Sequence, residues 1–324
     1  MKKYLLPQSG NFYKANMHMH TTYSDGQLTP QEVKELYMKN GYSIVAFTDH
    51  ELLMPHNYLA DENFLPITSV ELATNEDDHY PFQYTKTYHL NLYAKDKNAS
   101  SYCVRDNLRI WPGKVRDFET EEQKQVNYRR VYSVESMNDL IAKANAQGFL
   151  VSYNHPVWSL QSYNDYADLE GVWGIELYNT SAALGGYVDN EQPWIDLLWQ
   201  GKNVFPLAAD DAHKIQDTCG GWIMVKSEKL EYDTVMQALE KGDFYASNGP
   251  KILSLYIEDN TVHIRTSGAK QISLIPKSRK VRSVIADVQP ITGAAFTLQP
   301  TDEYFRIKVV DENGKKAYTQ AYRV

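Results

Sequence analysis

The sequence predicts an α/β fold: a barrel of alternating strands and helices, followed by a small all-β sandwich. Three observations lead there. Strand and helix signals alternate over the first three-quarters of the 324 residues; histidines or carboxylates close successive apolar runs; and near residue 250 the pattern changes to short alternating strands. Ala15–His20 reads as the first strand. Thr29-Pro30-Gln31-Glu32 then supplies an N-cap, a proline at the first helical position and a capping-box glutamate, with Val33, Leu36 and Tyr37 as the buried stripe and Gly41 as the stop. Ser43–Thr48, Leu65–Val70 and Tyr88–Tyr93 follow as strands. Ser136–Gln147 is a helix leading into the strand Phe149–Tyr153. Val172–Tyr178, a helix around Trp194, Leu197 and Leu198, and Val204–Ala209 repeat the unit. Repeated strand–helix units imply a parallel sheet with both faces covered, and ligand-type residues arriving from strands all along the chain favour closure into a barrel.

After the helix Asp233–Lys241 the strands are Leu253–Ile257, Val262–Thr266, Ile272–Ile275, Val281–Val288, Phe305–Val309 and Ala317–Tyr322, with Asn313-Gly314 as a two-residue hairpin signal. Residues 1–249 are thus expected to form the barrel, with an insertion at about 96–132, and residues 250–324 a β-sandwich domain.

A net charge of −8 and a pI near 5.6 argue against binding duplex nucleic acid or a membrane surface and favour a small soluble substrate. Cys103 and Cys219 lack metal-type spacing, so neither a disulfide framework nor a thiolate site is expected. Tyr4-Leu5-Leu6 is too short for a signal-peptide core or a membrane span, and a cytoplasmic location is expected.

Six of the nine histidines stand among acidic residues: His18 and His20 in MHMHTTYSDG, His50 in AFTDH, His89 in YHLNLY, His155 in YNHPVW and His213 in AADDAH, with Asp25, Glu71 and Asp211. Strands that surround a common centre would bring these donors together on metal. Asp25 also fits an ordinary turn. Asp49 and Asp210 either accept from ligand imidazoles or cap local backbone, and Glu176 either points into the barrel mouth or packs. His56 and His79, in polar stretches, read as surface loop residues, and His263 as a strand residue of the sandwich.

HMHTTYSDG, FTDH, the isolated Glu71, NHP and the DAH triplet, in this order, resemble the PHP (polymerase and histidinol phosphatase) family of metal-dependent phosphoesterases over roughly residues 12–225. The resemblance implies a distorted (β/α)7 TIM-like barrel. Gly242–Pro250 leading into a β-domain is further similar to the branch that includes carbamate-ester (carbaryl) hydrolases. By the family's pattern His18, His20, Glu71 and Asp211 would hold one ion, Glu71, His89 and His155 a second with Glu71 bridging, and Asp25, His50 and His213 a third. Where the family often has histidine, this chain has Asp25, so two or three divalent ions are implied; nitrogen and carboxylate donors suit zinc, manganese or iron.

The expected function is hydrolysis of a small phosphorylated metabolite or nucleotide by a metal-bound hydroxide, with no general acid assignable. A carboxyl-ester or carbamate hydrolase using the same metals is the alternative. A non-catalytic binding protein is a third reading, against which the complete ligand set weighs. The insertion carries Arg105, Arg109, Arg116, Arg129 and Arg130 beside Tyr102, Trp111 and Tyr128. An arginine from it could grip phosphate, or the segment could be a solvated surface paired with Glu119, Glu121 and Glu122.

Overall fold

The helix Pro30–Lys39 shows how closely local chemistry sets the elements. Thr29 Oγ1 accepts from the Glu32 amide, the Glu32 carboxylate accepts from the Thr29 amide, and Val33 and Tyr37 turn inward against the strand that follows. The helices Val134–Ala146 and Glu191–Trp199 bury Leu140, Ile141, Trp194 and Leu197 in the same way, each such side chain stabilising the fold by roughly 1.5–3 kcal/mol. The computed structural model describes residues 2–79, 81–110 and 114–324. Among these, no helix is long and apolar enough to cross a membrane.

The strands are β1 (Lys3–Tyr4), β2 (Asn11–Asn16), β3 (Ile44–Phe47), β4 (Leu65–Asn75), β5 (Thr87–Ala94), β6 (Phe149–Tyr153), β7 (Gly174–Asn179), β8 (Phe205–Ala209), β9 (Trp222–Ser227) and β10 (Phe244–Ser247). They continue as β11 (Ile252–Glu258), β12 (Thr261–Ala269), β13 (Gln271–Pro276), β14 (Arg282–Ile285), β15 (Ile291–Thr297), β16 (Tyr304–Val310), β17 (Lys316–Thr319) and β18 (Tyr322–Arg323). The fold is mixed α/β, built on one large sheet that runs β14-β13-β16-β17-β10-β9-β2-β3-β4-β5-β6-β7-β8.

Two expectations need correction. The sheet of β2 to β8 is not wholly parallel, because β5 runs antiparallel to both β4 and β6. Nor does a strand ladder close it into a barrel. β2 is paired with β9 from Asn11 to Ala15, Ala15 facing Ile223, so β8 has no ladder partner on its outer side. The two ends of the seven-stranded run meet only beyond the strands. There the Asp211 amide donates to the His18 carbonyl at 2.9 Å, the His20 amide to the Ala212 carbonyl at 3.2 Å, and Asn16 Oδ1 accepts from the Asp210 amide at 3.0 Å.

The carboxyl-terminal strands form two layers. A second sheet, β1-β11-β12-β15, packs on the large sheet through Ile252, Leu255, Val262 and Ile264 on one side and Ile272, Leu274, Phe305 and Ile307 on the other. The boundary expected after Gly249 crosses these layers, since β10 pairs with β17 and β1 pairs with β11. The expected two-residue turn at Asn313-Gly314 is a longer loop between Val310 and Lys316, because Asp311 Oδ1 accepts from the amides of both Asn313 and Lys315. His263 stacks on Tyr256 in the small sheet.

Candidate metal centre

The reversed direction of β5 is what gathers the donors. His18, His20, His155, Asp211 and His213 follow the carboxyl ends of β2, β6 and β8; His89 lies near the amino end of β5, which an antiparallel strand presents at the same rim. Glu71 stands inside β4, opposite Asn91 of β5, and His50 bridges to it from beyond β3. Asp25 arrives on the turn after His20. Gly26 is required there, since a Cβ would come within 2.3 Å of the His20 carbonyl oxygen.

Nine side chains proposed from sequence therefore converge. His18 Nε2, His20 Nε2 and Asp211 Oδ1 lie 3.1 to 3.2 Å from one another, and the Glu71 oxygens lie 3.2 Å from the two ring nitrogens. A tetrahedron with bonds of about 2.0–2.2 Å has edges of about 3.3–3.6 Å, so this donor set has the size of an ion's coordination shell. Glu71 Oε1 also meets His89 Nδ1 at 3.0 Å and His155 Nε2 at 3.5 Å, while Oε2 faces His50 Nδ1 at 3.2 Å. Asp25, His20, His50 and His213 make a further group, with Asp25 Oδ2 3.4 Å from His213 Nε2. Glu71 is thus shared between groups. Its Oε2 and His20 Nδ1 are buried with no hydrogen-bond partner, a costly arrangement unless a cation completes it.

The charges agree. Burial alone would lower the pKa of His18, yet Asp211, Glu71 and Glu176 raise it well above its ordinary value; the same balance lifts His20 to about 10 and raises His155. Burial also opposes ionisation of Glu71, but the surrounding imidazoles hold it well below the carboxylate range. His50, buried beside His20, is pushed down to about 3. Backbone conformation is unusual at the same place, with positive φ at Glu51, His155 and Asp211, a pattern that clusters at functional sites.

The supporting residues divide by what they touch. Glu176 Oε1 accepts from His18 Nδ1 at 2.6 Å, leaving Nε2 to face the other donors. Asp49 and Asp210 touch backbone and hydroxyls instead: Asp49 holds Thr21 and Ser24, and Asp210 accepts from the amides of Cys219, Gly220 and Gly221. Two asparagines escaped the sequence reading. Asn154 donates to Glu71 Oε1 and Asn179 to both Glu176 and Asp211. Asn154, beside His155 in NHP, was the detectable one.

The insertion's arginines do not reach the site. Arg105 pairs with Glu119, Arg109 with Asp78, Arg129 with Asp106 and Arg130 with Glu51, while Arg116 is exposed. Each of these four guanidiniums meets a carboxylate, and none of the five arginines lines the cavity over the donors. Trp111 lies outside the described residues. His56 is a second correction: it is buried between Phe47 and Tyr23, which pushes its pKa down to about 4, whereas His79 is exposed as expected.

Residues 16–168 match the family model of the PHP domain. This part of the chain is similar to PHP domains. No curated protein matches the chain. Solved structures do: a two-domain protein from Bacteroides vulgatus containing a predicted PHP-like metal-dependent phosphoesterase is 14% identical at a TM-score of 0.48, with 99% of this chain and 98% of that one covered. A candidate metal-dependent phosphoesterase from Bifidobacterium adolescentis is 16% identical at 0.42, covering 73% of this chain and 98% of its own. An amidohydrolase from Chromobacterium violaceum, with bound sulfate and no metal, is 14% identical at 0.44, covering 71% and 96%. The PHP match includes all the proposed ligands except Asp211 and His213, which the fold returns to the same rim.

Proposed function

We propose that the protein is a metal-dependent phosphoesterase acting on a small phosphorylated substrate. The sharing of Glu71 between two donor groups carries this reading, since a carboxylate placed between clusters suits adjacent ions. His18, His20, Glu71 and Asp211 would hold one ion, Glu71, His89 and His155 another, and Asp25, His50 and His213, with His20 beside them, a third. Divalent ions there would supply Lewis acidity toward the ester oxygen and activate water near neutral pH. Glu176 fixes the His18 tautomer, Asn154 and Asn179 aim the carboxylates, and Asp49 and Asp210 hold the two turns that deliver Asp25 and His213.

One observation favours the second reading, a carboxyl-ester or carbamate hydrolase. Among the described residues no lysine or arginine lines the cavity of about 240 Å³ at the centre, and a dianionic phosphate would gain from one. Parallel assays after manganese or zinc loading decide between them. Turnover of p-nitrophenyl phosphate or bis-p-nitrophenyl phosphate exceeding that of p-nitrophenyl acetate is expected; the reverse order would transfer the assignment to the esterase.

A further inference from the structure

Beneath the donor cluster the interior between β4, β5 and β6 is polar. Alternate residues of β5 share one face, so His89, Asn91 and Tyr93 point the same way as Glu71, which stands opposite Asn91 on β4, and Ser152 stands opposite Asn91 on β6. Asn91, Tyr93, Ser152 and Asn154 are all fully buried, and polar side chains are costly there unless they are bonded. They are bonded to one another. Asn154 Nδ2 donates to Glu71 Oε1 at 3.0 Å, Ser152 Oγ donates to Asn154 Oδ1 at 2.9 Å, the Tyr93 hydroxyl lies 3.1 Å from Ser152 Oγ, and Asn91 Nδ2 donates to the Tyr93 oxygen at 3.3 Å. The Tyr93 hydroxyl also lies 3.0 Å from the carbonyl of Met17, the residue before His18.

The hydrogens of this chain can be placed. Ser152 has one and gives it to Asn154, so the hydrogen at the contact between Ser152 and Tyr93 belongs to Tyr93. Burial pushes the Tyr93 pKa up, so that hydrogen is kept. Each donor therefore points to the next group toward Glu71, and hydrogen bonds aligned in this way polarise one another. Direction matters most at Asn154. Its amide nitrogen and oxygen have almost the same shape, and with the amide turned over an oxygen would face the carboxylate in place of an N–H. The Ser152 hydrogen is what tells the two ends apart. We infer that Tyr93, acting through Ser152 and Asn154, is a positioning residue of the metal centre. It fixes the rotation of Glu71, so that Oε1 stays between His89 and His155 while Oε2 is left facing His20 and His50. Its contact with Met17 ties the same carboxylate to the peptide that delivers His18. The inference rests on the metal centre proposed above and not on the substrate.

The test uses the full-length protein, freed of metal by chelation and titrated with manganese or zinc in a calorimeter. Tyr93→Phe keeps the ring, which packs 5.8 Å from Trp173, and removes only the hydroxyl. Ser152→Ala breaks the next link, and Ser152→Thr restores its hydroxyl. A His213→Ala background confines the titration to the ions that use Glu71. There Tyr93→Phe and Ser152→Ala should each weaken metal binding about 10- to 100-fold, and Ser152→Thr should return to within about threefold of the parent. In a Glu71→Ala background, where Asp25, His50 and His213 remain as a group, Tyr93→Phe should change nothing. Weakening of the same size in that background would mean that Tyr93 acts through packing alone and would overturn the inference. So would unchanged constants in both Tyr93→Phe and Ser152→Ala. The constants are read without turnover, so they decide the matter whether or not p-nitrophenyl phosphate is cleaved. A wild-type protein that takes up neither metal would overturn the inference together with the metal centre.

Discussion

Replacing Arg130 with methionine should destabilise the protein through a residue that touches none of the proposed ligands. Arg130 is fully buried and its Nη2 lies 2.6 Å from Glu51 Oε1. That oxygen also accepts from the Ala73 amide, and the Tyr102 hydroxyl donates to the Glu51 carbonyl at 2.9 Å. Glu51 itself has φ of 58° and follows His50, with its amide donating to the Glu71 carbonyl. The insertion therefore clamps a strained residue between two proposed ligands. Removing one partner of a buried pair costs about 3–5 kcal/mol, and for a chain of 324 residues this corresponds to a Tm lower by about 4–7 °C. Burial already raises the pKa of Glu51, with Arg130 opposing, so loss of Arg130 raises it further. A raised folded pKa favours folding at low pH. The Arg130→Met defect should be small below about pH 4.5, the unfolded carboxyl range, and grow as pH climbs through the folded value. Thermal melts between pH 4 and 8, with bound metal measured in parallel, follow this. Arg130→Met/Glu51→Gln should recover to within about 1 kcal/mol of wild type, since no charge is left uncompensated. A single variant that melts like wild type at pH 7 would refute the clamp.

Further outcomes follow from other parts of the molecule. His20→Ala and Glu71→Ala should each lower turnover by about 10³-fold or more and reduce bound metal while the far-ultraviolet circular dichroism stays native; wild-type turnover at equal metal content would remove the centre as drawn. Glu191 accepts from Lys308 at 2.6 Å and from the Tyr318 hydroxyl at 3.1 Å, and these partners overcome burial to lower its pKa. Its stabilisation is therefore present above the unfolded carboxyl range and lost as pH falls through the folded value, so Glu191→Gln should cost roughly 1–2 kcal/mol at pH 7 and converge with wild type near pH 3 in denaturant titrations. A chain ending at Gly249 should be insoluble, because it strips β10 of its β17 partner and uncovers Phe12, Met224 and Tyr245; a soluble, monomeric truncation would contradict this.

The donor set was legible because histidines and carboxylates at strand ends interrupt apolar runs, which sequence displays directly. Strand direction was not, since the apolar run around His89 reads alike in either orientation, and only the long insertion before Phe149 changes how β5 is entered and left. The expected elements do not include β9 and β10, which hold the reason no ladder closes the seam: Ile223 and Val225 alternate with Trp222, Met224 and Lys226 in the half-buried pattern of an ordinary strand. The insertion's arginines misled because sequence shows a charge and hides its partner; Glu51 and Asp78 lie 79 and 31 residues from the arginines they meet. His56 misled for a similar reason. Its polar neighbours Asn57 and Asp61 are surface residues, while the imidazole itself turns under them.

The seam between β2 and β8 has a mechanical meaning. The few amides that lace it belong to the peptide segments carrying His18, His20 and Asp211, so one set of residues both fastens the sheet's free edge and surrounds the proposed ions. A cation held there would act as a rivet through two flaps that backbone bonding alone secures lightly. Loading and unloading would then be heard in the frame as well as at the rim: amide protons of His20, Asp210 and Asp211 should exchange quickly in chelated protein and slowly once metal returns, while those in the ladder between β4 and β5 keep the same pace in both.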